Sequence, residues 1–223
     1  IPHFKDCKYH LDNRKHGSDS TIFITEGPSA AGSMVTARDP LTQAIFGLKG
    51  VPLNVFSRTK AAIYKNEELY NLMMALGIED GIDNLRFDKV VIATDADYDG
   101  YHIRNLLLTY FLTYFEEVVL AGHVYILETP LFRVRNTKET RYCYSERARD
   151  DALKKIKSAE VTRFKGLGEI SPKEFGQFIG EDIKLVKVNV RSIHGIAETL
   201  SFYMGKNTPE RRDYIIENLL DEV

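Results

Sequence analysis

Residues 89–93, Lys-Val-Val-Ile-Ala, run straight into Thr94-Asp95-Ala96-Asp97-Tyr98-Asp99-Gly100, and this junction constrains the chain more than any other. A run this apolar suits a strand buried on both faces, as in a parallel sheet covered by helices. Beyond it, Ile103, Leu106, Leu107, Tyr110, Phe111, Tyr114 and Val118 recur at i, i+3, i+4 and i+7. That is the period of a helix with one buried face, expected to end near Gly122. Thr21–Thr25 and Val124–Leu127 read as further strands, and Glu67–Leu76 as a helix stopped by Gly77. Strands alternating with helices argue for an α/β layer fold with a mainly parallel sheet.

After residue 130 the character changes. Leu131–Val134 and Arg141–Tyr144 can pair as a hairpin, and Ser145 can cap a helix running to about Ile156. Ser171-Pro172 and Thr208-Pro209 each place a capping hydroxyl before a proline suited to the first helical turn. Residues 1–19 are polar and read as a connector, 20–134 as the main α/β domain, and 135–223 as a small appended α/β region. No run of about 18 apolar residues occurs, so no membrane span is expected, and no signal-peptide pattern is present. Cys7 and Cys143 are the only cysteines. Two such distant residues make no disulfide framework, and a reducing cytoplasm fits. Cys7, His10 and His16 match no zinc spacing and lack a fourth ligand.

The formal net charge of −2 does not by itself suggest nucleic acid. The placement of the acids counts for more. In extended chain, residues two apart point the same way. Asp95 and Asp97 should therefore converge at the carboxyl end of a strand, where open α/β sheets place ligands. Close carboxylates repel, and a divalent cation removes the penalty; oxygen-only ligands favour Mg²⁺. Glu26 ends its own strand ahead of Gly27, Pro28, Ser29, Ala30, Ala31, Gly32 and Ser33, read as a loop of mostly small residues that lets a backbone or phosphate approach. One Glu and one Asp from adjacent strand ends can hold a metal, and the Glu can carry a proton. Other readings stay open. Asp99 can be no more than a helix N-cap, and three acids can be a solvated loop. An EF-hand would need a carboxylate where Leu106 stands. A haloacid-dehalogenase-type phosphatase would need Thr where Asp99 stands.

Glu26-Gly-Pro-Ser-Ala, Asp95-Ala-Asp-Tyr-Asp-Gly-Tyr-His-Ile103 and Arg163-Phe-Lys-Gly-Leu-Gly-Glu169 occur in this order. Leu48-Lys-Gly50 before Leu53-Asn54, Gly122-His-Val-Tyr125 and Met204-Gly-Lys-Asn-Thr-Pro-Glu-Arg211 accompany them. Over nearly its whole length the chain resembles the Toprim and C-terminal region of type IIA DNA topoisomerase B subunits. The ending at Arg211 is more like topoisomerase IV than gyrase.

The resemblance implies a Toprim (Rossmann-like) domain with a small α/β extension. It implies an ATP-hydrolysing DNA topoisomerase, an isomerase that cleaves and reseals double-stranded DNA for decatenation and relaxation. Glu26 would be the general acid/base and a ligand of Mg²⁺ (or of Mn²⁺ or Ca²⁺ in its place). Asp95 would bridge two metal sites, Asp97 would bind the second, and Asp99 would complete the triad. Lys49, Asn54, His102, Arg163 and Lys165 would lie near DNA. The partners would be double-stranded DNA and a tyrosine-bearing A subunit in an A2B2 heterotetramer, cytoplasmic and on the bacterial chromosome. ATP would bind elsewhere in the full-length protein, since no Walker A pattern occurs here. A Toprim primase or nuclease and a non-catalytic DNA-binding module are the other classes in view. Pro28, Ala31 and Val51-Pro52 depart from the family's usual Asp, Gly and basic residue, and the loop after Glu26 is expected to be stiffened by Pro28.

Overall fold

The structure of the chain, a computed structural model, describes residues 1–190 and 193–218, so residues 191–192 and 219–223 of the expected extension lie outside it. The strands are β1 (Phe4–Lys5), β2 (Thr21–Glu26), β3 (Gln43–Leu48), β4 (Lys89–Ala93), β5 (Val124–Glu128), β6 (Phe132–Arg135), β7 (Thr140–Cys143), β8 (Glu160–Arg163) and β9 (Lys184–Lys187). The helices are α1 (Gly27–Ala37), α2 (Ala61–Lys65), α3 (Glu67–Leu76), α4 (Tyr98–Tyr114), α5 (Glu116–Leu120), α6 (Glu146–Lys155), α7 (Pro172–Ile179), α8 (Ile193–Met204) and α9 (Thr208–Glu217).

The main sheet has the order β1-β3-β2-β4-β5-β9. Its four central strands are parallel, as the apolar runs require, and β1 and β9 close the two edges antiparallel. Alternation along each strand divides the core. Ile22, Ile24, Phe46, Val90 and Ile92 face a layer that includes Leu72 and Met73 of α3 and Leu107 and Tyr110 of α4. Phe23, Ile45, Val91 and Ala93 face Ala30 and Met34 of α1 and Phe175 and Phe178 of α7. A second sheet, β7-β6-β8, carries its own small core of Phe132, Val134 and Cys143 against Ala152 and Ile156.

Several local expectations change. Glu26 is not followed by a loop: α1 begins at once, with Gly27 at φ 69° turning the chain and Pro28 in the first helical turn. There the missing N–H costs nothing, so Pro28 is a helix starter rather than a loop stiffener. The N-cap of α4 is Asp97, whose Oδ1 accepts the Gly100 N–H at 2.8 Å, while Asp99 is an exposed first-turn residue. The helix expected to continue past Val118 breaks at Phe115 (φ −137°, ψ 41°), whose ring is buried with its centroid 5.1 Å from that of Tyr110. Ser145 and Ser171 cap α6 and α7 as expected, but α9 has Asn207 at its N-cap position, its side chain donating to Glu210 Oε2 rather than accepting a backbone N–H, and Thr208 lies inside the helix.

The small sheet is clasped to α7 through Glu174. Its Oε1 accepts from Arg133 at 2.6 Å and from the Tyr142 hydroxyl at 2.9 Å, and its Oε2 accepts from the Ser171 hydroxyl at 2.7 Å. Burial alone would raise the carboxyl's pKa. The hydrogen bonds from Ser171, Arg133 and Tyr142, with the Arg133 charge, outweigh it and pull the value down to about 2. A depressed carboxyl stabilises the fold above its ordinary value of 4.5 and loses that contribution as pH falls through about 2. Glu174→Gln should therefore destabilise the chain by roughly 2 kcal/mol at pH 7, the scale of charged hydrogen bonds. The deficit should shrink towards pH 2 in thermal melts recorded across that range. An equal loss at every pH would mean the clasp acts through shape rather than charge.

Candidate metal centre

β2 and β4 are adjacent and in register, Thr25 opposite Ala93, so both chains leave the sheet at the same level. Glu26 is the last residue of β2 and Asp95 lies two residues beyond β4. The backbone N–H of Asp95 donates to Glu26 Oε1 at 3.3 Å. Glu26 Oε2 is buried and has no partner. Burial is the largest influence on Glu26, followed by the neighbouring Asp95 carboxyl and the charge of Asp97. Together they raise its pKa from 4.5 to about 7. An orphaned carboxylate oxygen beside a second carboxylate fits a hard divalent cation.

Three glycines make this closeness possible. A side chain at Gly100 would place its Cβ 2.1 Å from the Asp95 carbonyl oxygen. At Gly166 it would lie 2.7 Å from Asp95 Oδ2, and at Gly168 2.7 Å from Ser29 Oγ. The Arg163–Glu169 block thus folds over the acidic strand ends. Leu167 donates its backbone N–H to Asp95 Oδ1 at 2.7 Å, and Glu169 closes the block on itself by accepting the Lys165 N–H at 2.9 Å. This contact is not apparent from the sequence, because the block lies 72 residues from Asp95.

The four acids are not equivalent. Glu26 and Asp95 meet. Asp97 is near enough to act on Glu26 through its charge, but its carboxylate is turned to cap α4. Asp99 points from the exposed first turn. The phosphatase and calcium-loop readings gain nothing from this placement.

Among the basic candidates, His102 is exposed on α4 just past the acidic loop. Lys49 is exposed, its N–H donating to Glu68 and its Nζ 3.5 Å from Glu67 Oε1. Lys165 is exposed, and the exposed Arg163 lies over the Phe132 ring. Asn54 is used structurally, donating to the Met204 carbonyl at 3.0 Å and accepting the Phe56 N–H at 3.0 Å.

Among the described residues, the one group of three potential ligands within 4.8 Å of each other is Asp6, Cys7 and His10. Arg86 already occupies it, 2.5 Å from Asp6 Oδ2 and 2.7 Å from His10 Nε2. A guanidinium there supplies the positive charge a metal would bring, and burial with the Asp6 charge pushes the Cys7 thiol up to about 11, away from thiolate ligation. His16 instead stacks on Tyr9.

Residues 21–129 match the Toprim domain family, and residues 156–216 match the family described as DNA gyrase B subunit, carboxyl terminus. The chain is 63% identical over 223 residues to the DNA topoisomerase 4 B subunit of Borreliella burgdorferi, covering 99% of the chain and 37% of that protein. It is 38% identical over 207 residues to the DNA gyrase B subunit of Mycoplasmoides gallisepticum, covering 89% of the chain and 32% of the relative. The chain therefore spans about a third of the length of the relatives it matches. The solved Plasmodium falciparum topoisomerase II DNA-binding, cleavage and re-ligation domain has the same fold, with a TM-score of 0.83 at 23% identity, over 99% of this chain and 32% of that one. No described helix is long and apolar enough to cross a membrane.

Two outcomes follow from the geometry. A carboxyl raised in the folded state stabilises it below its ordinary 4.5 and loses that contribution as pH rises through about 7. In chelator, melting temperature should fall between pH 5 and 8, and Glu26→Gln should flatten that slope. An unchanged slope in the variant would show that Glu26 titrates normally. Gly166→Ala needs no unusual backbone, since Gly166 has φ −132°, so its methyl acts on the Asp95 carboxylate alone. Mg²⁺ affinity by calorimetry should drop about tenfold or more, on the scale of shifting an outer-shell partner, with little loss of melting temperature.

Proposed function

The chain belongs to the B-subunit family of gyrase and topoisomerase IV, a Toprim domain followed by the gyrase B carboxyl-terminal segment, and on that premise we propose that it supplies the metal-holding and proton-transferring half of a DNA cleavage and religation centre. The observation that carries this reading is the meeting of Glu26 and Asp95 at the ends of β2 and β4, with Glu26 poised near neutrality.

Glu26, Asp95 and Asp97 would hold Mg²⁺, with Asp99 completing the acidic set. Bound there, the cation would neutralise charge on the scissile phosphate. Glu26 does the proton work. With a pKa of about 7 it exchanges a proton at working pH, as a general acid for a departing 3′ oxygen and as a base in the reverse direction. Asp95 is held by the Leu167 N–H on one oxygen, with Gly166 close against the other, so its carboxylate would stay oriented towards a cation. Asp97 would offer Oδ2 to the cation while its Oδ1 keeps the cap on Gly100, which would tie the start of α4 to the site.

The nucleophilic tyrosine would come from an A subunit in an A2B2 assembly, and ATP would be hydrolysed by another module. The 63% relative favours the topoisomerase IV activities, decatenation and relaxation, over supercoiling. His102, Lys49, Arg163 and Lys165 would steer the DNA backbone towards the acids, their charges acting on phosphate rather than on base sequence. Asn54, committed to Met204 and Phe56, would act near DNA by shaping the loop it braces.

In the assembled enzyme, Glu26→Ala and Asp95→Asn should each lower DNA cleavage by about 10²-fold or more, while the DNA affinity measured by gel shift stays within a few fold. Wild-type cleavage by either variant sinks the assignment. Decatenation of linked circles against supercoiling of relaxed plasmid then separates the two members of the family.

A further inference from the structure

Arg104 of α4 is half-buried, and among the described residues it forms no ion pair and no hydrogen bond. Its Nε is buried without a partner, and burial works against its charged form, an effect that Tyr101 and the charge of Glu128 offset only in part. Its guanidinium lies over the Tyr101 ring at 5.0 Å. A cation in such surroundings is costly unless an anion meets it. Arg104 lines a cavity of about 340 Å³ between the start of α4, the end of β5 and the edge strand β9. Thr94, whose Oγ1 is also buried without a partner, lines the same cavity, which is bordered by Glu128, Thr129 and Tyr144. A half-buried arginine without a hydrogen bond, on a wall completed by Leu131 and Val186, points to a ligand that carries both an acceptor for the guanidinium and apolar surface.

We propose that this cavity receives a carboxylate side chain, an Asp or Glu flanked by apolar residues on a partner protein, with Arg104 as its recognising cation. Charge decides against a nucleic-acid strand here. The exposed Glu128 on the rim and the Asp95–Asp99 loop beside Thr94 repel a run of phosphates. A single carboxylate can pass that rim and meet the guanidinium in the two-pronged geometry arginine favours. Tyr144, backed by Lys184 at 3.5 Å from its ring, and Thr129 place hydroxyls on the same wall as further donors. The assignment does not depend on the cleavage chemistry at Glu26.

The test uses the chain itself, with ¹⁵N-labelled arginine, titrated with the blocked tripeptide Leu-Glu-Leu. Controls are Leu-Gln-Leu, inorganic phosphate and a short DNA duplex. The Arg104 Nε–H resonance should move saturably with Leu-Glu-Leu in the millimolar range, and hardly with Leu-Gln-Leu. Arg104→Gln should weaken peptide binding at least fivefold while chain melting is unchanged. Glu128→Gln, which removes the repelling rim charge, should strengthen it severalfold. If Arg104→Gln does not fold, Arg104→Lys is read instead, since a point charge without the fork should still weaken binding. Equal binding of Leu-Gln-Leu would show an apolar wall only. A response to phosphate or duplex but not to Leu-Glu-Leu would overturn the carboxylate assignment. A shift of the Arg104 signal on Glu128→Gln without any peptide would show that the cation is already paired within the chain.

Discussion

Electrostatic repulsion between the carboxylates of Glu26 and Asp95 is the constraint around which this end of the molecule is arranged. The two acids are forced together because β2 and β4 are neighbours in register, and nothing in the sheet itself relieves them. The chain answers with backbone rather than with side-chain cations. Leu167 offers an N–H to Asp95, Gly166 and Gly168 let the Arg163–Glu169 block come close, and Gly100 lets α4 start directly over the Asp95 carbonyl. A lysine or arginine placed here would have satisfied the charge and closed the site to a metal. Amide dipoles hold the acids in place and leave their charge available. The contrast is the Asp6, Cys7 and His10 group, where Arg86 performs that neutralisation and leaves no room for a cation.

The acids also differ in what they cost to use. Asp95 is held before any cation arrives. Asp97 already spends its Oδ1 on the N-cap of α4, worth about 1 kcal/mol in typical helices, which leaves only Oδ2 free for another partner. Its carboxylate is thereby tied to the first turn of α4, one residue ahead of His102.

Much of this was legible in the sequence, for identifiable reasons. The parallel core strands were visible because both of their faces are buried, which makes Ile22–Ile24 and Val90–Ala93 short uninterrupted apolar runs. Ser145 and Ser171 were visible because a hydroxyl cap is a local interaction. β1, β3, β8 and β9 were not foreseen. β1 is two residues long, β8 and β9 are edge strands with exposed polar positions, and β3 follows a turn without a strong signal. At the site, the residue types were legible but the division of labour was not. Whether Asp97 or Asp99 caps α4, and whether Gly27–Ala37 is loop or helix, depends on the backbone angle at Gly27 and the approach of residues 163–169. Those come from contacts distant in sequence.

The antiparallel strand β9 ties the two family segments into one sheet. Four residues from the carboxyl-terminal segment, Lys184–Lys187, pair with Tyr125–Glu128 of β5. The Toprim segment is thus not a free-standing brick with an appendage. Its outer parallel strand borrows its last neighbour from a stretch that follows some sixty residues later. Cutting the chain after residue 129 would leave β5 with an open row of amides and carbonyls, a surface that invites strand-to-strand association between molecules. The carboxyl-terminal segment thus exchanges that edge for the short, lysine-flanked edge of β9, a kind that resists strand addition, separately from whatever it contributes to the acids at the far end of β2 and β4.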